Sequence, residues 1–133
     1  MAQLTGIDHV LLSMPAGGED RARAFYGRVL GLREVPKRPA LDTHGGCWFV
    51  SDANRSMAIH LGSEEPFAPA RKAHVALLVD DLDGLRRSML EAGVETRDDE
   101  APIGVRRFYA FDPFGNRLEL VASDDAGFTE RSW

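Results

Sequence analysis

IDHVLLSM at residues 7–14 and HVALLVD at residues 74–80 decide the fold of this chain. Both runs are rich in Val and Leu, as largely buried strands are. Both carry a His-Val pair, His9-Val10 and His74-Val75. Each is followed by a helical pattern and then by further short strands. Each also has a distant partner strand with another potential ligand: Met57–Leu61 (MAIHL) with His60, and Arg117–Val121 (RLELV) with Glu119. With His9 aligned on His74, the two halves run in the same order, strand, helix, strand, strand, strand, and a repeat on that scale is a statement about the whole fold.

The first half is expected to place strands at Ile7–Met14, Leu32–Val35, Cys47–Val50 and Arg55–Leu61. In Ile7–Met14, His9, Leu11 and Ser13 point one way, because side chains alternate along a strand. A helix is expected over Glu19–Leu30, where Ala22, Phe25, Tyr26 and Val29 form one apolar stripe. Gly31 stops it. Ser51–Asn54 reads as a turn. Gly62–Arg71, with Gly, two Pro and no periodicity, is the linker. In the second half, strands are expected at His74–Asp80, Val94–Arg97, Val105–Phe111 and Arg117–Val121. Asp81 or Asp83 caps a helix up to Ala92, with Leu82, Leu85 and Met89 inward. Asp112-Pro113-Phe114-Gly115-Asn116 is a strong turn signal. The chain is therefore one domain of two modules, at about 5–62 and 72–122, with a tail at 123–133. The fold class is α+β, two βαβββ modules with the helices outside. The connection lengths suit sheets whose first strand pairs with their last, which puts His9 beside His60 and His74 beside Glu119.

Composition narrows the function. The 133 residues carry 16 Lys and Arg against 21 Asp and Glu, a net charge of −5. That balance argues against nucleic acid, which asks for a basic face, and against an anionic membrane surface. No apolar run approaches the ~20 residues of a membrane span. The start MAQLTGIDHV has no basic or apolar leader pattern, so a cytoplasmic location is expected. A single Cys, Cys47, excludes an internal disulfide and has no base near it in sequence. No phosphate loop, dinucleotide fingerprint or nucleophile elbow occurs.

The marks DHV at 8–10 with the helix EDRARAFYGRVLGL after it, AHVALLVDDLDGLRRSMLEAGV at 73–94 and FYAFDPFGNRLELV at 108–121 are similar to the vicinal-oxygen-chelate superfamily. That superfamily includes glyoxalase I, extradiol dioxygenases, fosfomycin-resistance enzymes, methylmalonyl-CoA epimerase and bleomycin-binding proteins. The resemblance covers about residues 5–122. It implies modules paired edge to edge, commonly across a homodimer in which module one of one chain faces module two of the other.

Where such proteins bind metal, the ligands come from the first and last strands of each module. The resemblance thus implies His9, His60, His74 and Glu119, around one divalent metal per site: Zn, Ni, Co, Fe or Mn, among which ligand type does not choose. His9, His74 and Glu119 match the two-His-one-carboxylate set of the extradiol and fosfomycin enzymes. His60 stands where glyoxalase I has a carboxylate or amide, and is a fourth ligand or an outer donor. Glu119 is the one carboxylate of the set, so it is the candidate base if it loosens from the metal.

Tyr109 lies ten residues before Glu119, where fosfomycin enzymes place a substrate-contacting Tyr. Arg107, on the same strand face, is a candidate for a substrate anion, and Trp48 is their counterpart in module one. The expected function is a metal-dependent enzyme of lyase, isomerase, dioxygenase or transferase type that chelates a small oxygenated substrate. The alternatives are a metal-free protein of the bleomycin-resistance kind, with Trp48, Phe108 and Tyr109 stacking on a planar or cationic drug, and an interaction domain whose ligands are relics.

Overall fold

A computed structural model describes residues 1–39, 44–100 and 104–123. The tail positions Phe128 and Trp133 lie outside them. The chain divides into two compact units, Met1–Ala68 and Pro69–Trp133.

In unit one, β1 (Val10–Met14) leads to α1 (Glu19–Ala22), which runs on as a π-helical segment (Arg23–Val29). β2 (Arg33–Val35), β3 (Cys47–Val50) and β4 (Ala58–Ser63) follow. The sheet order is β1-β4-β3-β2. First and last strands are parallel neighbours, with Val10 opposite Ile59 and Met14 opposite Ser63. Unit two repeats the plan with β5 (Val75–Val79), α2 (Leu82–Glu91), β6 (Thr96–Arg97), β7 (Arg107–Phe111) and β8 (Arg117–Ala122). Its order is β5-β8-β7-β6, again with first and last strands parallel. The architecture is α+β, two βαβββ modules.

Each sheet buries one face. In unit one Met14, Phe49, Ile59 and Leu61 are at most 1% exposed, and Phe25 and Tyr26 cover them from the helix. In unit two Phe108, Leu118, Leu120 and Met89 of α2 are likewise at most 1% exposed. Burying each such side chain contributes about 1.5–3 kcal/mol. The opposite faces are left for the candidate residues.

Several expectations change. β1, β5, β6 and β7 each start one to three residues later than expected, so His9 and His74 precede their strands. The first helix widens: the Leu30 amide donates to the Phe25 carbonyl five residues back, at 2.9 Å, a π-type bond. The wider turn lets the consecutive Phe25 and Tyr26 both be buried, with their rings edge to face at 4.9 Å. The fourth strand starts at Ala58 and runs through Gly62 and Ser63, because β1 continues to pair there; the turn before it closes with the Met57 amide on the Asn54 carbonyl. Phe108 is 1% exposed, with Arg86 lying over its ring, on the face opposite Tyr109. Strand alternation makes it core rather than a stacking surface.

The second helix is capped by Asp81, whose side chain accepts from the Gly84 amide at 2.9 Å. Asp83 is instead taken up by Arg106 at 3.0 Å. In the DPFGN turn, buried Asp112 accepts from the amides of Phe114 and Asn116 and from Asn116 Nδ2, at 2.8–2.9 Å. Gly115 takes φ +89 there, a conformation that favours glycine. This turn fixes the register of β7 on β8.

Candidate functional site

The strand registers give each unit a set of three side chains. In unit one His9 lies one residue before β1, and β4 lies between β1 and β3 with His60 opposite Leu11 and Trp48. In unit two His74 lies one residue before β5, and β8 places Glu119 opposite Ala76 and Tyr109. His9, His60 and Trp48 therefore correspond to His74, Glu119 and Tyr109.

In unit one the three rings stack in series. Trp48 lies on His60 at 4.0 Å and 3° between planes, and His60 on His9 at 4.2 Å and 17°. His9 Nδ1 faces Asp8 Oδ2 at 2.8 Å. A carboxylate only accepts, so His9 Nδ1 donates. The hydrogen bond from His9 holds the Asp8 carboxyl below its ordinary value. Burial pushes His60 below 6.5, the charge of His9 adds to that, and Asp8 opposes it. An imidazole lone pair lies in the ring plane, so two nearly parallel stacked rings do not aim at one point. His60 is the middle of the stack and His9 the outward ligand candidate.

These rings line a cavity of about 540 Å³ in unit one, together with Leu11, Lys37 and Arg38. Lys37 and Arg38, an adjacent cation pair just after Pro36, carry no motif that marks them in the sequence. The Gly46 amide at the start of β3 donates to Glu19 Oε1 at 2.9 Å, which lowers the Glu19 carboxyl from its ordinary value. Cys47 is 1% exposed and burial pushes its thiol up to about 11, so it is no nucleophile.

In unit two, His74 Nε2 stands 3.1 Å from Glu119 Oε2, and His74 Nδ1 stands 2.8 Å from the Lys72 carbonyl. The carbonyl only accepts, so Nδ1 donates. Nε2 then faces a carboxylate oxygen, and the pair is satisfied by a second ring proton or by a cation in its place. Two ligand atoms each ~2.1 Å from one ion and at right angles stand ~3.0 Å apart, close to the observed separation. A backbone carbonyl on the far ring nitrogen is the usual anchor of a ligating His. This donor pair fits a divalent metal.

Glu119 is held from its other side as well. Arg107 Nη1 donates to Oε1 at 2.8 Å, and Arg107 Nη2 donates to the Glu100 carbonyl at 2.7 Å. Burial works to raise the Glu119 carboxyl, but the hydrogen bonds and charges of Arg107 and His74 outweigh it and hold it below 4.5. Both oxygens are engaged, so Glu119 takes a substrate proton only if one contact breaks. Arg107 is thereby committed to Glu119 rather than presented to a ligand. Tyr109 is 5% exposed, packs edge-on to His74 at 5.5 Å, and carries the Arg117 guanidinium 3.8 Å from its ring centre. Arg117 was also missed, and an Arg two residues before Glu119 on one strand face was its signal.

Among the described residues no group of three or more His, Cys, Asp or Glu side chains forms a metal cluster; the stacked His pair lies in unit one and the His–Glu pair in unit two. No described helix is long and apolar enough to cross a membrane.

The family model described as Glyoxalase/Bleomycin resistance protein/Dioxygenase superfamily matches residues 6–120. A solved protein of Bacillus anthracis, assigned to the glyoxalase family, is 43% identical, with TM-score 0.85 over 92% of this chain and 98% of its own. The fosfomycin resistance protein FosX of Listeria monocytogenes, solved with Mn(II) and sulfate, is 16% identical, with TM-score 0.71 over 90% of this chain and 91% of its own. TnmS3, an antibiotic binding protein of Streptomyces sp. CB03234, is 24% identical, with TM-score 0.67 over 90% of this chain and 98% of its own. The last two likenesses concern the fold. None of the curated proteins matches by sequence.

Proposed function

The chain belongs to the glyoxalase/bleomycin resistance protein/dioxygenase superfamily, and from that premise we propose that it is a divalent-metal-dependent enzyme acting on a small oxygenated molecule. The observation that carries the reading is the His74–Glu119 pair, whose ligand atoms stand 3.1 Å apart with the far ring nitrogen anchored on a carbonyl. The ligand set proposed is His9, His74 and Glu119, with His60 outside it as the ring stacked between His9 and Trp48. FosX, a protein of the same fold, holds Mn(II), in keeping with Mn as one candidate among Zn, Ni, Co and Fe.

His9, His74 and Glu119 would hold the divalent ion, and it would supply Lewis acidity to an oxygenated substrate. The chain's own residues do the rest. Arg107 holds Glu119 Oε1 and leaves Oε2 turned to His74. Asp8 orients His9. In unit one Trp48 and His60 provide a flat wall for the substrate body, and in unit two Tyr109 packs edge-on against His74 and steadies its ring. The lyase, isomerase, dioxygenase and transferase chemistries all share this chelating step.

The assembly we propose is a homodimer in which His9 of one chain and His74 and Glu119 of the other serve one site. A second reading, a metal-free binding protein, draws support from the stacked rings and from the antibiotic-binding neighbour of the same fold. Elemental analysis decides between them. Protein reconstituted with Mn, Fe, Ni or Zn and desalted is expected to retain about one metal per chain, and His74→Ala to retain almost none. No stoichiometric metal with any of the four favours the second reading.

A further inference from the structure

We propose that the unit-one cavity binds a small organic anion, a carboxylate or a phosphonate or phosphate, with Lys37 and Arg38 holding the charge and the Trp48–His60–His9 stack holding the body. The inference deepens the reading above, because it names the substrate class of the same site. It rests on the cavity and not on the metal.

The chain carries a net charge of −5, yet this cavity is lined by Lys37, Arg38 and His44 beside the two stacked His residues. Asp8 is the one acid among its described lining residues, and it already accepts from His9. Lys37 donates to the Gly45 carbonyl, which fixes it at the cavity, and its charge also acts on the nearby Glu19 carboxylate. Lys37 and Arg38 outnumber Asp8 among the described lining residues, and a concave site with an excess of one charge concentrates ligands of the other sign. Its volume of about 540 Å³ suits a small molecule. Leu11 and Leu61 supply apolar lining, and the stacked rings suit a planar or apolar body. A cationic drug, the partner suggested by overall charge, is disfavoured here by Lys37 and Arg38.

The test uses the full chain carrying Trp133→Phe, which leaves Trp48 as its sole tryptophan, stripped of metal on chelating resin. Phenylphosphonate, benzoate and benzylamine are titrated while heat and Trp48 fluorescence are followed. Both anions are expected to bind and to change the Trp48 signal, and benzylamine is not. Lys37→Met with Arg38→Met is expected to weaken the anions about tenfold or more at unchanged far-UV circular dichroism. If the double variant misfolds, each single variant is expected to show part of that loss. The tighter anion identifies the headgroup.

Benzylamine binding as tightly as the anions, an affinity within about twofold in the folded variants, or no anion binding by the parent overturns the proposal. Anion binding by a chain that takes up no stoichiometric metal supports it while ending the metal-enzyme reading.

Discussion

Arg107→Met isolates the force that holds Glu119. The guanidinium and the carboxylate meet at 2.8 Å with only 17% and 12% of their side chains exposed, so solvent screens the pair far less than a surface ion pair. A hydrogen bond to a charged group contributes about 1.5–3 kcal/mol, and removing one partner of a buried pair costs about 3–5 kcal/mol. His74 still holds the other oxygen, so the expected loss is about 2–3 kcal/mol near neutral pH.

The pH dependence has a definite sign. The folded Glu119 carboxyl lies below 4.5, so its stabilisation is fully present above that value and is lost as pH falls through the folded pKa. Without Arg107, burial dominates and the carboxyl titrates higher. The gap between parent and variant therefore narrows as the pH is lowered past 4.5. Urea unfolding of metal-stripped protein, followed by far-UV circular dichroism from neutral to acid pH, measures it. A gap that is constant with pH, or smaller than about 0.5 kcal/mol as for an exposed pair, would refute the reasoning.

Three further perturbations follow from the same geometry. In the metal-free Trp133→Phe chain, protonation of His60 against Trp48 is expected to quench fluorescence with a midpoint below pH 6.5, because burial favours the neutral ring; its stabilisation is present above 6.5 and lost as pH falls, and His60→Gln is expected to abolish the transition. Gly46→Ala puts a Cβ 2.2 Å from the Leu61 carbonyl oxygen at φ +92, an expected cost of about 1–3 kcal/mol in thermal melts, against a smaller loss for Gly17→Ala, whose Cβ meets open space. Asp112→Ala removes the acceptor of three hydrogen bonds in the β7–β8 turn; unfolding is expected to record a loss of about 3 kcal/mol, and calorimetry weaker metal binding, because that turn sets Tyr109 opposite Glu119.

Much of the architecture is legible because the repeat is chemical as well as periodic. Two His-Val strands, each matched by a later strand with an isolated polar residue between apolar ones, give the first-to-last pairing. Glu119 between Leu118 and Leu120 already implies a carboxylate turned away from the core. Other features are decided by long-range contacts that local pattern does not encode. Over two turns, an apolar stripe at 22, 25, 26 and 29 suits a π-helical segment as well as an α-helix, and the Leu30–Phe25 bond decides. Gly62 reads as a strand end, but pairing with β1 carries the strand past it. The stacking of His60 is set by its neighbours: the register brings Trp48 and Leu11 beside it. Arg107 reads as a ligand-facing cation until its contact with Glu119 is seen.

The central claim is a two-imidazole, one-carboxylate metal site that excludes His60. Calorimetric titration of Mn(II) into metal-stripped parent, His9→Ala, His60→Ala, His74→Ala and Glu119→Gln chains tests it most directly. About one ion per chain is expected for the parent and for His60→Ala, and affinity weakened at least ~10-fold in the other three. Equal affinity in all five chains, or a loss in His60→Ala as large as in His74→Ala, would contradict it.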